Sequence, residues 1–512
     1  LVLADSSIVV LALPQIYREL DTSVAGVTWV LVSFNLVMAL AAVPAAHLAR
    51  RVGPGRSAAV GLAIFAGAGL ACAASAQLST LIAARCVQAL GGAAAVTAVL
   101  ELLPATVGSE RRATTLWATA GATGAALGPA VGGVLTQLVS WQSIFLIQVP
   151  IALAAAVPIL AVARHEAATG VLSTELRQTG RPHLLANLAL AMISAAIAAA
   201  LFLLVLLLIE GWRLTPIGAA IVVSVMPLSA LLGSRLGRLV PSARARAAAG
   251  SILVSGGLGG LALLPKAEVA LTVPPQVMVG IGLALVLSAL TETALAGRAP
   301  QAIHGGWTIS ARHAGVVIGL LALTPIFTSD IAEQRQDAID AGTAVILDSR
   351  VPPLLKIDLA QRIESRLEEE KGRVPTIGSA FDPLPSDPEE RSAVVELRDE
   401  LQEQLNRGAT HAFSPSFGLA AVLGLLALIP IGLARRVDLL ARFCEVGCWS
   451  AGRSLSLLRS WVSISQRVVR PMRLRRHRTP ASTGPGATPK AWNRSPSSFR
   501  SRRWMGLPAS WV

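Results

Sequence analysis

The sequence predicts an all-α polytopic membrane protein of two six-helix bundles, with a helical insert outside the membrane between helices 11 and 12. Three observations carry that prediction. Only 14% of the residues are charged, against about 25% in an ordinary soluble domain. Apolar runs recur at the length, about 20 residues, that crosses a bilayer core of about 30 Å. Arginine gathers in every second connection between those runs, as the positive-inside rule requires of cytoplasmic loops.

Residues 1–13 are apolar, but at 1.5 Å per residue they cover only about 20 Å. With no initiator Met before them, they are expected to be the remainder of a truncated first helix. No cleavable signal peptide is visible. The windows 27–48, 58–76, 78–102, 116–138 and 144–162 complete the first bundle, 1–163. A cytoplasmic linker at 164–183 leads to 184–209, 217–239, 247–264, 273–296 and 307–327, which supply helices 7–11 within 184–328. The insert occupies 329–412, helix 12 is expected at 413–434, and 435–512 form a cytoplasmic tail.

Loop charges test this count. The loops after helices 2, 4, 6, 8 and 10 carry Arg50, Arg51 and Arg56; Arg111 and Arg112; Arg164, Arg177 and Arg181; Arg235, Arg238, Arg244 and Arg246; and Arg298. The short alternate connections hold Arg18, Arg213 and Lys266 only, so both termini are expected in the cytoplasm. The first and fourth of these arginine loops also resemble each other across the halves. Leu48, Arg50, Val52 and Arg56 are matched by Leu236, Arg238, Val240 and Arg244 at a constant offset of 188 (236 − 48). Two halves in parallel orientation are what such a repeat implies.

The net charge of +14 does not point to nucleic acid, because the charges are sorted by segment. Residues 435–512 hold 16 basic and 2 acidic side chains, whereas 329–412 hold 10 basic and 18 acidic. In the insert, 353–370 and 388–405 have apolar residues at helical spacing, joined by a Pro-rich linker at 374–387. It reads as a solvated cap, with a protein partner as the other candidate role. In the tail, 437–469 mixes apolar clusters with arginines, as a helix lying on the inner leaflet would, and the rest is expected to be disordered. Cys72, Cys86, Cys444 and Cys448 suggest neither a disulfide framework nor a metal site, and no cofactor is implied. Arginine outnumbers lysine 40 to 4, the bias of a GC-rich genome and hence of a bacterial inner membrane.

A charged group in hydrocarbon is costly, so ionisable residues within spans are candidates for function. They are Asp5, His47, Arg85, Glu101, Glu292, Arg312 and His313. Asp5 and Arg85 lie deepest, and Arg85, Gln88 and Gly92 share one helix face. An aspartate so placed can load and release a proton, and the plainer alternative is an Asp–Arg tie between helices. Glu101 and Glu292 hold equivalent positions near the cytoplasmic ends of helices 4 and 10, 191 apart (292 − 101), where salt bridges to Arg111, Arg112 or Arg298 are expected. No His-Glu-x-x-His, Gly-x-Ser-x-Gly or Walker-type loop is present, so the chain is not expected to be an enzyme or to hydrolyse ATP.

The segment Gly124-x-x-x-Gly128-Pro129-x-x-Gly132-Gly133 lies mid-span, a composition that a soluble helix would avoid. It resembles the helix-5 motif of the drug:proton antiporter branch of the major facilitator superfamily. Arg85-x-x-Gln88-Ala89-x-Gly91 resembles that branch's helix-4 motif, Asp5-Ser-Ser7 through Pro14 its first-helix motif, and Arg312-x-x-Gly315-x-x-x-Gly319 its helix-11 pattern. The resemblance covers roughly residues 1–435. It implies a secondary transporter that exports small organic compounds in exchange for protons by alternating access. Asp5, Arg85, Gln88 and Arg312 then belong to the proton or substrate pathway. Gly124, Gly128, Pro129, Gly132, Gly133, Arg50, Arg51, Arg56, Glu101 and Glu292 belong to gating and helix packing. Two departures stand out. Arg50 replaces the acidic residue of the family's gate after helix 2, and the two extra linker helices usual in that branch are missing. A non-transporting scaffold or sensor on the same fold is the alternative.

Overall fold

Apolar burial does not drive helices together in lipid, so small residues decide where they touch. In the computed structural model, which describes residues 2–169, 180–349, 351–369, 378–382 and 384–434, this is clearest at two glycine crossings. Helices α4 (Pro54–Ala73) and α5 (Leu78–Val107) meet backbone to backbone at Gly61 and Gly91. A Cβ on Gly61 would lie 2.7 Å from the Gly91 carbonyl oxygen, and one on Gly91 2.6 Å from that of Gly61. Helices α12 (Ala243–Ala262) and α13 (Val269–Leu295) repeat the contact with Gly250 and Gly282, at 2.6 and 2.7 Å. The sequence repeat is therefore a structural one: equivalent helix pairs cross in the same way in each half.

The first helix is broken into α1 (Val2–Val10) and α2 (Leu13–Glu19), with Pro14 at the start of α2. There its missing N–H costs no helical bond. Helix α3 (Val24–Val52) is capped by Ser23, whose hydroxyl accepts the Gly26 N–H. It ends at Gly53, whose positive φ of 98° lets the chain turn straight into α4. Next come α6 (Glu110–Leu138), the short α7 (Ser143–Leu146) and α8 (Gln148–Thr169). The second half has α9 (Leu184–Leu206), ending in a π-helical turn at Leu207–Gly211, then α10 (Pro216–Val223) and α11 (Val225–Leu236) before α12 and α13.

Among the described residues, nine helices are long and apolar enough to cross a membrane. The broken first helix, α6 and α12 are not among those nine, but each lies against its neighbours in the bundle, α1 on α6 and α12 on α13.

Helix α14 (Gln301–Asp348) departs from expectation at its far end. Its 48 residues extend about 72 Å at 1.5 Å per residue, more than twice the bilayer core. The helix runs without a stop through Ser329, where the insert was expected to begin, and Gly342 does not interrupt it. Helix α16 (Pro388–Leu426) likewise passes through Ala412 unbroken. The insert is thus built on the projecting ends of two spanning helices. With α15 (Pro353–Glu369) they enclose a separate apolar cluster of Ile346, Leu359, Phe381, Val394, Leu397 and Leu401. The tail 435–512 with Cys444 and Cys448, the middle of the linker (170–179) and part of the Pro-rich segment (370–377) lie outside the described residues.

The glycine crossings carry a test. Gly91→Ala should destabilise the protein by about 1–3 kcal/mol, because the methyl meets backbone rather than a movable side chain. Gly67→Ala in α4, with nothing within 4 Å of a new Cβ, should be neutral or gain up to about 1 kcal/mol from helix propensity. Thermal unfolding in detergent distinguishes the two.

Candidate functional site

Asp5 of α1 and Arg85 of α5 are both fully buried, and Arg85 Nη2 stands 2.7 Å from Asp5 Oδ2. That approach joins opposite charges without hydrogen-bond alignment, since neither atom has a hydrogen-bond partner. The remaining polar atoms fix both groups. Arg85 Nη1 donates to Gln88 Oε1 (2.7 Å) and Nε to the Val30 carbonyl of α3 (3.3 Å). Gln148 Nε2, at the start of α8, donates to Asp5 Oδ1 and to the Ile144 carbonyl, both at 3.0 Å. The guanidinium lies 4.1 Å from the Phe34 ring centroid and 5.6 Å from that of Phe145, so its flat face is held as well as its edge. The result is a charged cluster drawn from five helices of one half, α1, α3, α5, α7 and α8.

From this cluster a chain of contacts leads to the other half. Phe34 also meets His313 of α14 edge-on, centroids 6.5 Å apart. His313 Nδ1 donates to Asn35 Oδ1 at 2.6 Å. Phe34 therefore stands between Arg85 and His313. Arg312 is half-buried beside it in mid-span and contacts neither Asp5 nor Arg85.

The glycine motif of α6 lies directly behind the charge pair. Gly124, Gly128 and Gly132 face α1: their Cβ atoms would meet Ala4 Cβ at 2.9 Å, Ser7, and the Ile8 carbonyl oxygen at 2.5 Å. Gly133 faces the second half, where a Cβ would stand 2.5 Å from Ala220 Cβ and 2.7 Å from the Pro216 carbonyl of α10. Pro129 is buried within the same stretch. One column of the motif thus seats the helix that carries Asp5, and its last glycine touches the opposite half.

The remaining candidates lie at the ends assigned to the cytoplasm. Arg50 is half-buried, Arg51 and Arg56 are exposed, and none reaches the charge pair. Glu101 accepts the Ala302 N–H (3.3 Å) at the start of α14 and so joins the halves. Glu292 pairs with Arg246 of α12, not with Arg298, which instead donates to the carbonyls of Thr293, Ala296 and Arg181. The expected partner was the nearest arginine in sequence, but the one across the glycine crossing is nearer in space.

Sequence reasoning missed a second buried acid. Glu210, in the π-helical turn after α9, is only 2% exposed and receives Arg18 of α2 at 2.6 Å and Arg213 at 3.4 Å. Beside it Glu19 accepts the Trp141 indole N–H (2.7 Å), and Trp212 donates to Thr410 (2.9 Å). The signal was present: Arg18 and Arg213 are the exceptions among the arginine-poor connections, and both converge on this carboxylate.

The sequence pattern of the Major Facilitator Superfamily matches residues 1–324, and the chain belongs to that family. Proteins of that family are membrane transporters and not enzymes. It is 42% identical over 154 residues to the methylenomycin A resistance protein of Bacillus subtilis, covering 30% of this chain and 33% of that protein. A protein of the same description from Streptomyces coelicolor is 35% identical over 238 residues, 45% of this chain and 46% of the relative. The tetracenomycin C resistance and export protein of Streptomyces glaucescens is 35% identical over 159 residues, 31% of this chain and 30% of the relative. The chain thus spans between 30% and 46% of the length of these curated relatives. A bacterial homolog of the human lysosomal transporter Spinster, solved in an inward-facing and unoccupied conformation, shares the fold. Its TM-score is 0.50 at 15% identity, over 83% of this chain and 95% of that one.

A double-mutant cycle tests the pair. Asp5→Asn alone strands a buried guanidinium and should cost about 3–5 kcal/mol. Adding Arg85→Gln should restore part of that loss, leaving a coupling of about 1–3 kcal/mol in unfolding titrations. Additive losses would contradict the pairing.

Proposed function

We propose that the protein is a secondary active transporter that exports small organic compounds across a bacterial inner membrane, driven by protons that enter through Asp5. The observation that carries this reading is the Asp5–Arg85 pair, both side chains of which are fully buried. A proton arriving at Asp5 removes the negative charge that holds Arg85. The guanidinium keeps Gln88, the Val30 carbonyl and the Phe34 face, so it can be released from α1 without losing all of its partners. Because α1 is seated on the glycine column of α6, and Gly133 abuts α10, a shift of α1 can pass to the second half through backbone contacts.

The transport cycle would rock two six-helix halves, twelve spans in all, around a midplane site with both termini cytoplasmic. The Arg18–Glu210–Arg213 cluster ties α2 to the end of α9 and would act as the outer latch. The relatives' names, resistance and resistance-and-export proteins, support export of small molecules. The acidic, solvated surface of the insert leaves a protein partner for 329–412 open to test.

Flux in proteoliposomes tests the coupling. Asp5→Asn should abolish export driven by a pH gradient while leaving exchange of labelled cargo across the membrane at zero gradient. Wild-type pH-driven rates in that variant would remove Asp5 from the mechanism. The latch is tested separately. With the native cysteines replaced, Glu210→Gln should speed modification of a cysteine introduced at Gln15 by an impermeant maleimide several-fold, and an unchanged rate would discount the latch.

A further inference from the structure

We infer that the transported compound carries an anionic group, a carboxylate or its equivalent, and that Arg312 holds it. This deepens the transporter reading and rests on it. Arg312 lies near the middle of the candidate span Gln301–Ile326. Its place on α14 is fixed by the neighbours on either side. Thr308 and Gly315 face α9, through the Asn187 side chain and the Ala191 carbonyl. Gly306 and His313 face α3, through Ala42 and Asn35. By helical spacing Arg312 falls between those two lines, over the sector in which Gly305 meets Leu100 of α5. It therefore stands between helices of both halves, where an alternating-access site belongs.

Among the described residues Arg312 has no hydrogen-bond or ion-pair partner, and it is half-buried rather than sealed. An unpaired cation at that depth is expensive and marks a place where a counter-charge arrives. The acids offer no competing site for a cationic cargo. Asp5 is fully buried with Arg85 and Gln148, Glu210 is held by two arginines, and Glu292 has Arg246. Glu101 sits at the end of its span on a backbone N–H. Among the described residues an organic cation thus meets no free carboxylate at mid-span, whereas an organic anion meets a guanidinium whose planar fork matches a carboxylate.

The test uses the purified full chain and matched probes: benzoate, naphthoate and anthroate, each against the methylammonium compound of the same ring system, measured by equilibrium dialysis and by flux in proteoliposomes. In the best-fitting ring size, wild type should bind the carboxylate at least about tenfold tighter than the ammonium. Arg312→Gln should erase that preference, and Arg312→Lys should keep part of it, with both variants first shown to be monodisperse. No carboxylate preference in any pair, or a preference that survives Arg312→Gln, overturns the proposal. Ammonium flux indifferent to Arg312 would sink the anion assignment and leave the transporter standing. Tight, Arg312-dependent carboxylate binding with no flux would uphold the anion site and sink the transport reading on which it was built.

Discussion

A buried charge pair constrains the first half of this protein. Asp5 and Arg85 are both sealed from solvent, and neither can remain charged there without the other. Their geometry needs α1, α3, α5 and α8 to converge, because each supplies a group that holds one of the two charges. The glycines follow from that requirement. α1 approaches α6 closely enough to carry Asp5 into the cluster only where Gly124, Gly128 and Gly132 leave no side chain in the way. A motif that first looks like helix-breaking composition is the bearing surface for the helix with the acid.

The second half repeats the scaffold without the charges. Gly250 and Gly282 reproduce the Gly61–Gly91 crossing, but the position equivalent to Arg85 on α13 is Gln276, 191 residues on (276 − 85). Gln276 is buried and donates to Thr272 one turn earlier, a neutral bond where the first half has an ion pair. The cation of the second half lies instead on α14 at Arg312. On the proposed reading, a repeat that keeps its packing and divides its polar groups lets one half carry the coupling charge and the other meet the cargo.

Much of this was legible in the sequence because lipid penalises the informative residues. Asp5 and Arg85 are conspicuous in apolar runs, and the prediction that they act together needed only that a bare charge be intolerable. The arginine loops and their repeat were legible for a related reason, since charge sorting survives without knowledge of packing. Partner choice was not legible. Glu292 takes Arg246 rather than Arg298, and His313 takes Asn35 from the other half, because helix crossings set those distances and sequence separation does not. Glu210 fell just past the end of an apolar window, so its burial depends on the π-helical turn that folds it back toward Arg18. The unbroken α14 shows the converse limit: hydropathy marks where a helix leaves lipid and says nothing about where it stops.

On the proposed mechanism the Asp5–Arg85 contact opens and closes during turnover. Nitrogen NMR of the Arg85 guanidinium, in protein labelled at arginine and held in lipid nanodiscs, observes that contact directly, with Asp5→Asn supplying the signature of the open state. Acidification in the presence of cargo should move the Arg85 resonances from the paired position toward that of Asp5→Asn. Resonances that stay at the paired position while pH-driven flux proceeds would contradict that mechanism.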